Sequence, residues 1–176
     1  MAQNGSGVLS IGSATILSLR RLLGDQAAPL LQEAGYASGT AMYQAFREWL
    51  QQRTSVADPA ELDVSYLGPM VSEFFGQAGW GSVTLRQLGT LLAFDTTDWA
   101  EVGDDRTAAA PSCHLTTGML AAFLTQLAGN VVAVMQVECL TCGDPRCRFL
   151  AGSPNALEEV FEASARGTHY GELLQV

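Results

Sequence analysis

Cys139-Leu140-Thr141-Cys142-Gly143-Asp144-Pro145-Arg146-Cys147-Arg148-Phe149 holds three of the chain's four cysteines, and Cys113 is the fourth. Gly143 and Pro145 mark a tight reversal between two apolar runs, residues 131–139 and 146–151, so the stretch reads as the turn of a β-hairpin. Directly opposed residues in such a hairpin have Cβ atoms about 4.5–5.5 Å apart. That spacing lets Cys139 and Cys147 share one metal, with Cys142 hanging over the turn and Cys113 arriving from the start of a helix. Thiolates are soft, compact donors, and a tetrahedral zinc takes four of them. The expected metal set is therefore Cys113, Cys139, Cys142 and Cys147, with zinc as the cofactor. A disulfide pair, or plain buried thiols, is the competing reading.

Working outward, 176 residues suffice for one domain with a real core, and 48% apolar residues exclude a disordered chain. The expected organisation is a flexible lead over residues 1–12, then a single domain over 13–176 with its motif core at 77–151. No run of 18 apolar residues exists, which argues against a membrane span. The opening Met-Ala-Gln-Asn-Gly-Ser-Gly lacks the basic segment of a secretory signal, so a cytoplasmic location is expected. In that compartment clustered cysteines more often bind metal than pair as disulfides. A net charge of −9 opposes direct nucleic-acid binding, and the adjacent pair Arg20-Arg21 reads as a solvated helix face.

Apolar spacing predicts helices over 13–23, from Asp25 to Ala34 with Gly35 as the stop, and from Ser38 or Thr40 to Arg53. Another covers 63–77, with Pro69 in its first turn or at a kink. The period then changes to two. Residues 82–88 alternate as a strand, and 91–95 continued by 98–102 read as its partner. Residues 103–111 read as a mobile loop. Ser112 caps a helix over 113–128, stopped by Gly129, and Asn155 or Ser153 caps the last one. The expected class is α+β: a four-stranded antiparallel sheet packed by helices, with a helical N-terminal half.

Ala78-Gly79-Trp80-Gly81, Cys113, Gly118, Phe123-Leu124, Gly129, Cys139 and Gly143-Asp144-Pro145-Arg146-Cys147-Arg148-Phe149 follow one another in a recognisable order. From residue 77 onward the chain resembles the 4-vinyl-reductase domain family, also called hydrocarbon-binding domains. The resemblance implies a fold shared with Golgi transport-tethering subunits and, distantly, with haem nitric-oxide-binding domains. It also implies a bacterial setting, since members include sensory domains of aromatic-responsive transcription activators and proteins of bacteriochlorophyll synthesis. In the activator domains three cysteines matching Cys113, Cys139 and Cys147 hold zinc, and a glutamate three residues before the second cysteine completes the site. Here that position is Gln136, a poor zinc ligand. Glu138 would face away from Cys139 in a regular strand. Cys142, at zinc-knuckle spacing from Cys139, is the preferred fourth ligand, with Gln136, Glu138 or water as rivals.

Trp80, Phe94, Gly118 and Phe123 are the candidate ligand-pocket residues, with His114 and Thr117 as polar neighbours. For any one aromatic, ordinary core packing competes with a pocket role. Gly118 admits either a ligand or a close helix contact. No Gly-x-Gly-x-x-Gly follows a strand, so the family's reductase name finds no dinucleotide site, and the Tyr-x-Ser-x-Arg haem signature is absent. No catalytic residue stands out. The leading expectation is a stand-alone sensor or carrier domain, not an enzyme. It would bind a hydrophobic or aromatic molecule, monoaromatic or tetrapyrrole, and be built around a structural zinc. An enzyme or accessory of tetrapyrrole reduction and a ligand-free dimeric scaffold are the alternatives. A homodimer through residues 13–53 is expected.

Overall fold

The computed structural model describes residues 11–104 and 106–175. The expected flexible lead falls mostly on residues 1–10, outside the described part. Among the described residues, six helices and four strands run in the order α1 (Ser13–Leu23), α2 (Ala27–Arg53), α3 (Val64–Gln77), β1 (Thr84–Leu88), β2 (Leu91–Thr96), α4 (His114–Ala128), β3 (Ala133–Glu138), β4 (Cys147–Gly152), α5 (Pro154–Ala165) and α6 (Tyr170–Leu174). The strands form one antiparallel sheet in the order β1-β2-β4-β3, so the fold is α+β with a helical N-terminal half, as the patterning implies. No helix among the described residues is long and apolar enough to cross a membrane.

Strand alternation sends side chains to two different cores. Phe94, Cys147, Phe149 and Ala151 face a large cluster built with α2, α3 and α4. Its centre is a set of interlocking rings: Phe46, Phe74, Phe75, Trp99 and Phe123 have neighbouring centroids 5.3–5.6 Å apart. Ala93 and Leu150 face the other way, into a smaller cluster closed by Leu157 and Val160 of α5 and Tyr170 of α6.

Three local expectations need correction. The first concerns α2, which does not stop at Gly35 but runs unbroken for 27 residues. Gly35 and Gly39 serve close approach instead. A Cβ on Gly35 would lie 2.0 Å from the Leu115 carbonyl oxygen of α4, and one on Gly39 would lie 2.6 Å from that of Met119. Gly118 answers from α4, where a Cβ would lie 2.0 Å from the Gln32 carbonyl oxygen. The two helices therefore touch backbone to backbone, and the glycines are positions where no side chain fits. The second concerns residues 98–102, which do not continue β2. They turn back after Thr96, with Asp98 accepting from the Ser82 backbone N–H (2.8 Å) and hydroxyl (3.0 Å). The third is α6, which forms where a frayed end was expected, its first turn capped by the His169 imidazole on the Gly171 N–H (3.0 Å).

Candidate metal centre and its surroundings

Cys139 leaves β3 into a single 3-10 turn, Leu140–Cys142, closed by Gly143 at φ 87°, a left-handed conformation suited to glycine. Asp144 ties the turn back, its carboxylate accepting from the Cys139 N–H (2.7 Å). The turn returns Cys147 beneath Cys139, and the Leu140 N–H donates to the Cys147 sulfur (3.4 Å). Cys113 is the N-cap residue of α4. Its sulfur lies 4.0 Å from that of Cys139, which lies 3.9 Å from that of Cys147. All three side chains are fully buried, and the three sulfurs lie within 4.8 Å of one another.

These separations fit a metal. Sulfurs about 2.3 Å from a tetrahedral zinc sit about 3.8 Å apart. The trio therefore occupies three corners of such a tetrahedron with little rearrangement. Its acid–base chemistry agrees. Hydrogen bonds from Cys113 and Cys147 hold the Cys139 thiol far below the ordinary thiol range. The bond to Cys139 holds Cys113 far above it, helped by the bond to Cys147 and by burial. At Cys147 the bond with Cys113 lowers the pKa, but the bond with Cys139 and burial outweigh it and push the thiol up to about 12. One sulfur thus carries negative charge, and two hold protons that a metal would displace.

Cys142 is half-buried at the end of the turn, outside the trio. Burial raises its thiol, as do the nearby Cys139 and Asp144 charges, and it also hydrogen-bonds toward the Cys139 sulfur. Gln136 reaches the site too. Its Oε1 accepts from the Cys113 N–H (2.9 Å) and its Nε2 donates to the Glu138 carbonyl (3.2 Å). A bulge makes this possible. Gln136 pairs with Phe149 and Glu138 with Arg148, leaving Val137 as the extra residue. Val137 packs toward the smaller core, and the Glu138 carboxylate also lies on that side. Gln136 and Cys139 consequently face the same side, although three residues apart in a strand they would otherwise be opposed.

Glu138 belongs to a buried charge cluster that sequence reasoning missed. Arg148 grips Asp95 with two bonds of 2.6 Å, Arg146 pairs with Glu138 (2.7 Å), and the Tyr170 hydroxyl donates to Glu138 while accepting from Arg148 (3.0 Å). The available signal was an acid and a base, Asp95 and Arg148, inside otherwise apolar strands. Such residues are rarely buried unless paired.

A second buried acid, Glu101, has no exposed surface. Its carboxylate accepts from the Leu115 N–H (3.0 Å), the Thr116 N–H (2.8 Å) and the Thr116 hydroxyl (2.5 Å), which satisfies the first turn of α4. Burial pushes its pKa up, against the pull of these donors and of Arg20. The Trp99 indole N–H donates to the Thr116 hydroxyl (2.7 Å), joining this cap to the aromatic core. Arg20 of α1 reaches the Glu101 carboxylate (3.2 Å), the Glu101 carbonyl (3.1 Å) and the Ser112 hydroxyl (3.3 Å). Ser112 bonds Thr141 (3.0 Å), and Thr141 bonds the Cys139 sulfur (2.9 Å).

Three of the four pocket candidates are linked through the aromatic core. Phe123 and Phe94 both meet Phe75, Phe75 meets Trp99, and Trp99 meets the half-buried Trp80 at 5.6 Å. The space beside Gly118 is filled by α2. Thr117 is buried with its hydroxyl on the Cys113 carbonyl (2.8 Å), and His114 is half-buried. An open cleft of about 370 Å³ lies elsewhere, between residues 135–137 of β3 and residues 167–170 ahead of α6.

Comparison with known proteins agrees with this architecture. Residues 100–153 match the family model of the 4-vinyl-reductase domain, so the resemblance read from the cysteine motifs is borne out. The fold is similar to the phenol-responsive sensory domain of the transcription activator PoxR, solved with phenol: TM-score 0.59, 19% identity, 82% of this chain and 75% of that one. It is similar to a vinyl-4-reductase family protein from Methanocaldococcus jannaschii, with TM-score 0.50, 11% identity, and 82% and 83% coverage. It is also similar to trafficking protein particle complex subunit 3 from Naegleria fowleri, covalently bound to palmitic acid, with TM-score 0.53, 9% identity, and 80% and 91% coverage. No curated protein matches the chain by sequence.

Proposed function

We propose that this chain is a single small-molecule-binding sensor domain of the cytoplasm, in which a structural zinc clips the β3–β4 hairpin to the start of α4. The carrying observation is that α4 serves both halves of that reading. Its N-cap, Cys113, belongs to the thiol trio, and further along the same helix Phe123 enters the aromatic cluster. Likeness to a phenol-responsive sensory domain supports a hydrophobic or aromatic ligand. The ligand surface is assigned to the rings nearest the sheet's open end, with Trp80 at the rim and Phe94 and Phe123 behind it. Trp80 is the most exposed of the three.

A panel of phenols, polyaromatics and porphyrins tests the assignment by tryptophan fluorescence. A ligand is expected to quench the emission and raise the melting temperature, and Trp80→Ala is expected to remove most of the quench. A panel that neither quenches nor stabilises would reject the sensor reading in favour of a scaffold.

Zinc is assigned to Cys113, Cys139 and Cys147, with Cys142 as fourth ligand because its thiol already bonds toward Cys139. Four thiolates leave no open position, so the metal would hold structure and take no part in chemistry. Gln136 is assigned an outer role, orienting Cys113 through the N–H it accepts. Gln136→Ala is therefore expected to weaken zinc by about 10–100-fold, the usual range for an outer partner. Cys142→Ser is expected to cost more. Chelator competition on the two variants decides, and the reverse ranking makes Cys142 a turn thiol only.

Leu22 and Leu19 of α1 and Leu30 and Tyr36 of α2 are exposed, Leu22 at 82%. This apolar surface supports a homodimer formed through residues 13–53. Light scattering is expected to give twice the 18.7 kDa chain mass, and a persistent monomer at high concentration would contradict it.

A further inference from the structure

Arg20 is the point from which the structure assigns a coupling between the cysteine trio and α1. Only Ile16 of α1 is buried, and Leu19 and Leu22 stand in solvent. What fastens this helix is Arg20, whose side chain is 19% exposed. One arm of its guanidinium holds Glu101, the buried cap of α4. The other holds Ser112, which bonds Thr141 of the cysteine turn. The second path ends on the Cys139 sulfur. A guanidinium only donates, and a metal-bound thiolate only accepts. The path therefore runs one way, from Arg20 through the Ser112 and Thr141 hydroxyls to the sulfur.

We infer that Arg20 acts as a clasp whose grip on α1 depends on metal occupancy of the cysteine trio. The inference rests on the metal reading given above. The two arms of Arg20 land on the two elements that a metal would join: the start of α4, on the Cys113 side, and the hairpin turn, on the Cys139 side. The planar fork can satisfy both only while their separation is fixed. Metal bonds to Cys113 and Cys139 fix it. Without them the turn is held to α4 by weaker thiol contacts and by Gln136, and one arm of the fork loses its partner. Helix α1 has little buried surface with which to resist, so it is the element that releases. It also bears the exposed leucines, so metal loss would change the surface this end of the molecule presents.

The test is backbone hydrogen exchange over residues 13–23, on protein of known metal content before and after chelation. Loss of a charge-assisted hydrogen bond corresponds to about tenfold faster exchange in this segment on metal removal. The interior of α2 should stay protected. Arg20→Ala should show the fast exchange with metal still bound. By reciprocity it should weaken metal binding by the same factor, although Arg20 touches no cysteine. Arg20→Lys, with a single ammonium, should restore only part of the protection. Equal exchange in loaded and stripped wild-type protein overturns the inference, as does full protection of α1 in Arg20→Ala. A protein that takes up no metal under any condition overturns the metal reading itself, a result metal analysis separates from the other two.

Discussion

Cys139→Ser and Cys147→Ser should each purify without metal and melt roughly 10 °C below the wild-type protein. A ligand present at about 1,000 times its Kd stabilises the folded state by about 4 kcal/mol. In a domain of this size each kcal/mol is worth about 2–4 °C. The serine hydroxyl does not replace a thiolate on zinc, and it is left in a pocket of two sulfurs with no exposed surface. Wild-type protein stripped by chelator should match the variants, and about one zinc per chain should restore it. The pH dependence has a definite sign. Cys113 and Cys147 hold their protons above the ordinary thiol range, and the metal must displace them. Affinity therefore rises with pH, and the metal's contribution to stability disappears as pH falls. Metal analysis that finds none, with every thiol freely titratable in the folded protein, would sink the site.

Gly118→Ala should destabilise the fold by about 3 kcal/mol or more, at the top of the range for overpacking. The added methyl meets a carbonyl oxygen at 2.0 Å, where the obstacle is helix backbone and no rotamer change can clear it. Gly35→Ala meets the same obstruction from the opposite helix and should cost as much. Both sites lie in one α2–α4 crossing, and once the helices have moved apart for one methyl they accommodate the other more easily. The double variant should therefore cost less than the sum of the singles. Gly76→Ala is the control. It is helical and exposed, with no atom nearer than 4.0 Å to the new methyl, so it should gain about 0.5–1 kcal/mol. Chemical denaturation of the four proteins checks the order. A neutral Gly118→Ala would mean that the helices do not touch at that point.

Periodicity is local, and that is why the α+β class, the four strands and the hairpin were legible before any coordinates. Each is set by alternation or by turn residues within about ten positions. The cysteine trio was legible because thiols are few and their partners scarce. What escaped depends on contacts between distant segments. Gly35 looks like a helix stop until α4 is laid against it. Residues 98–102 look like more strand until Asp98 is seen bracing Ser82. Asp95 and Arg148 are 53 positions apart, and neither alone announces a buried pair. Arg20 read as part of a solvated face, yet it is the side chain that fastens α1 to two other elements.

The extra residue in β3 makes the metal centre depend on a count as well as on chemistry. Between Gln136 and Cys139 the chain must contain two residues that both look away from the site, and it does so by placing Val137 outside the ladder. Side-chain identity at Val137 matters little to that count, so many substitutions there should leave the cysteines where they are. A one-residue deletion is a different kind of change. It would restore strict alternation, turn either Gln136 or Glu138 to the wrong side of the sheet, and set the charge cluster and the thiol trio competing for one register. Across relatives of this chain, drift in sequence through β3 should therefore be common and drift in length rare.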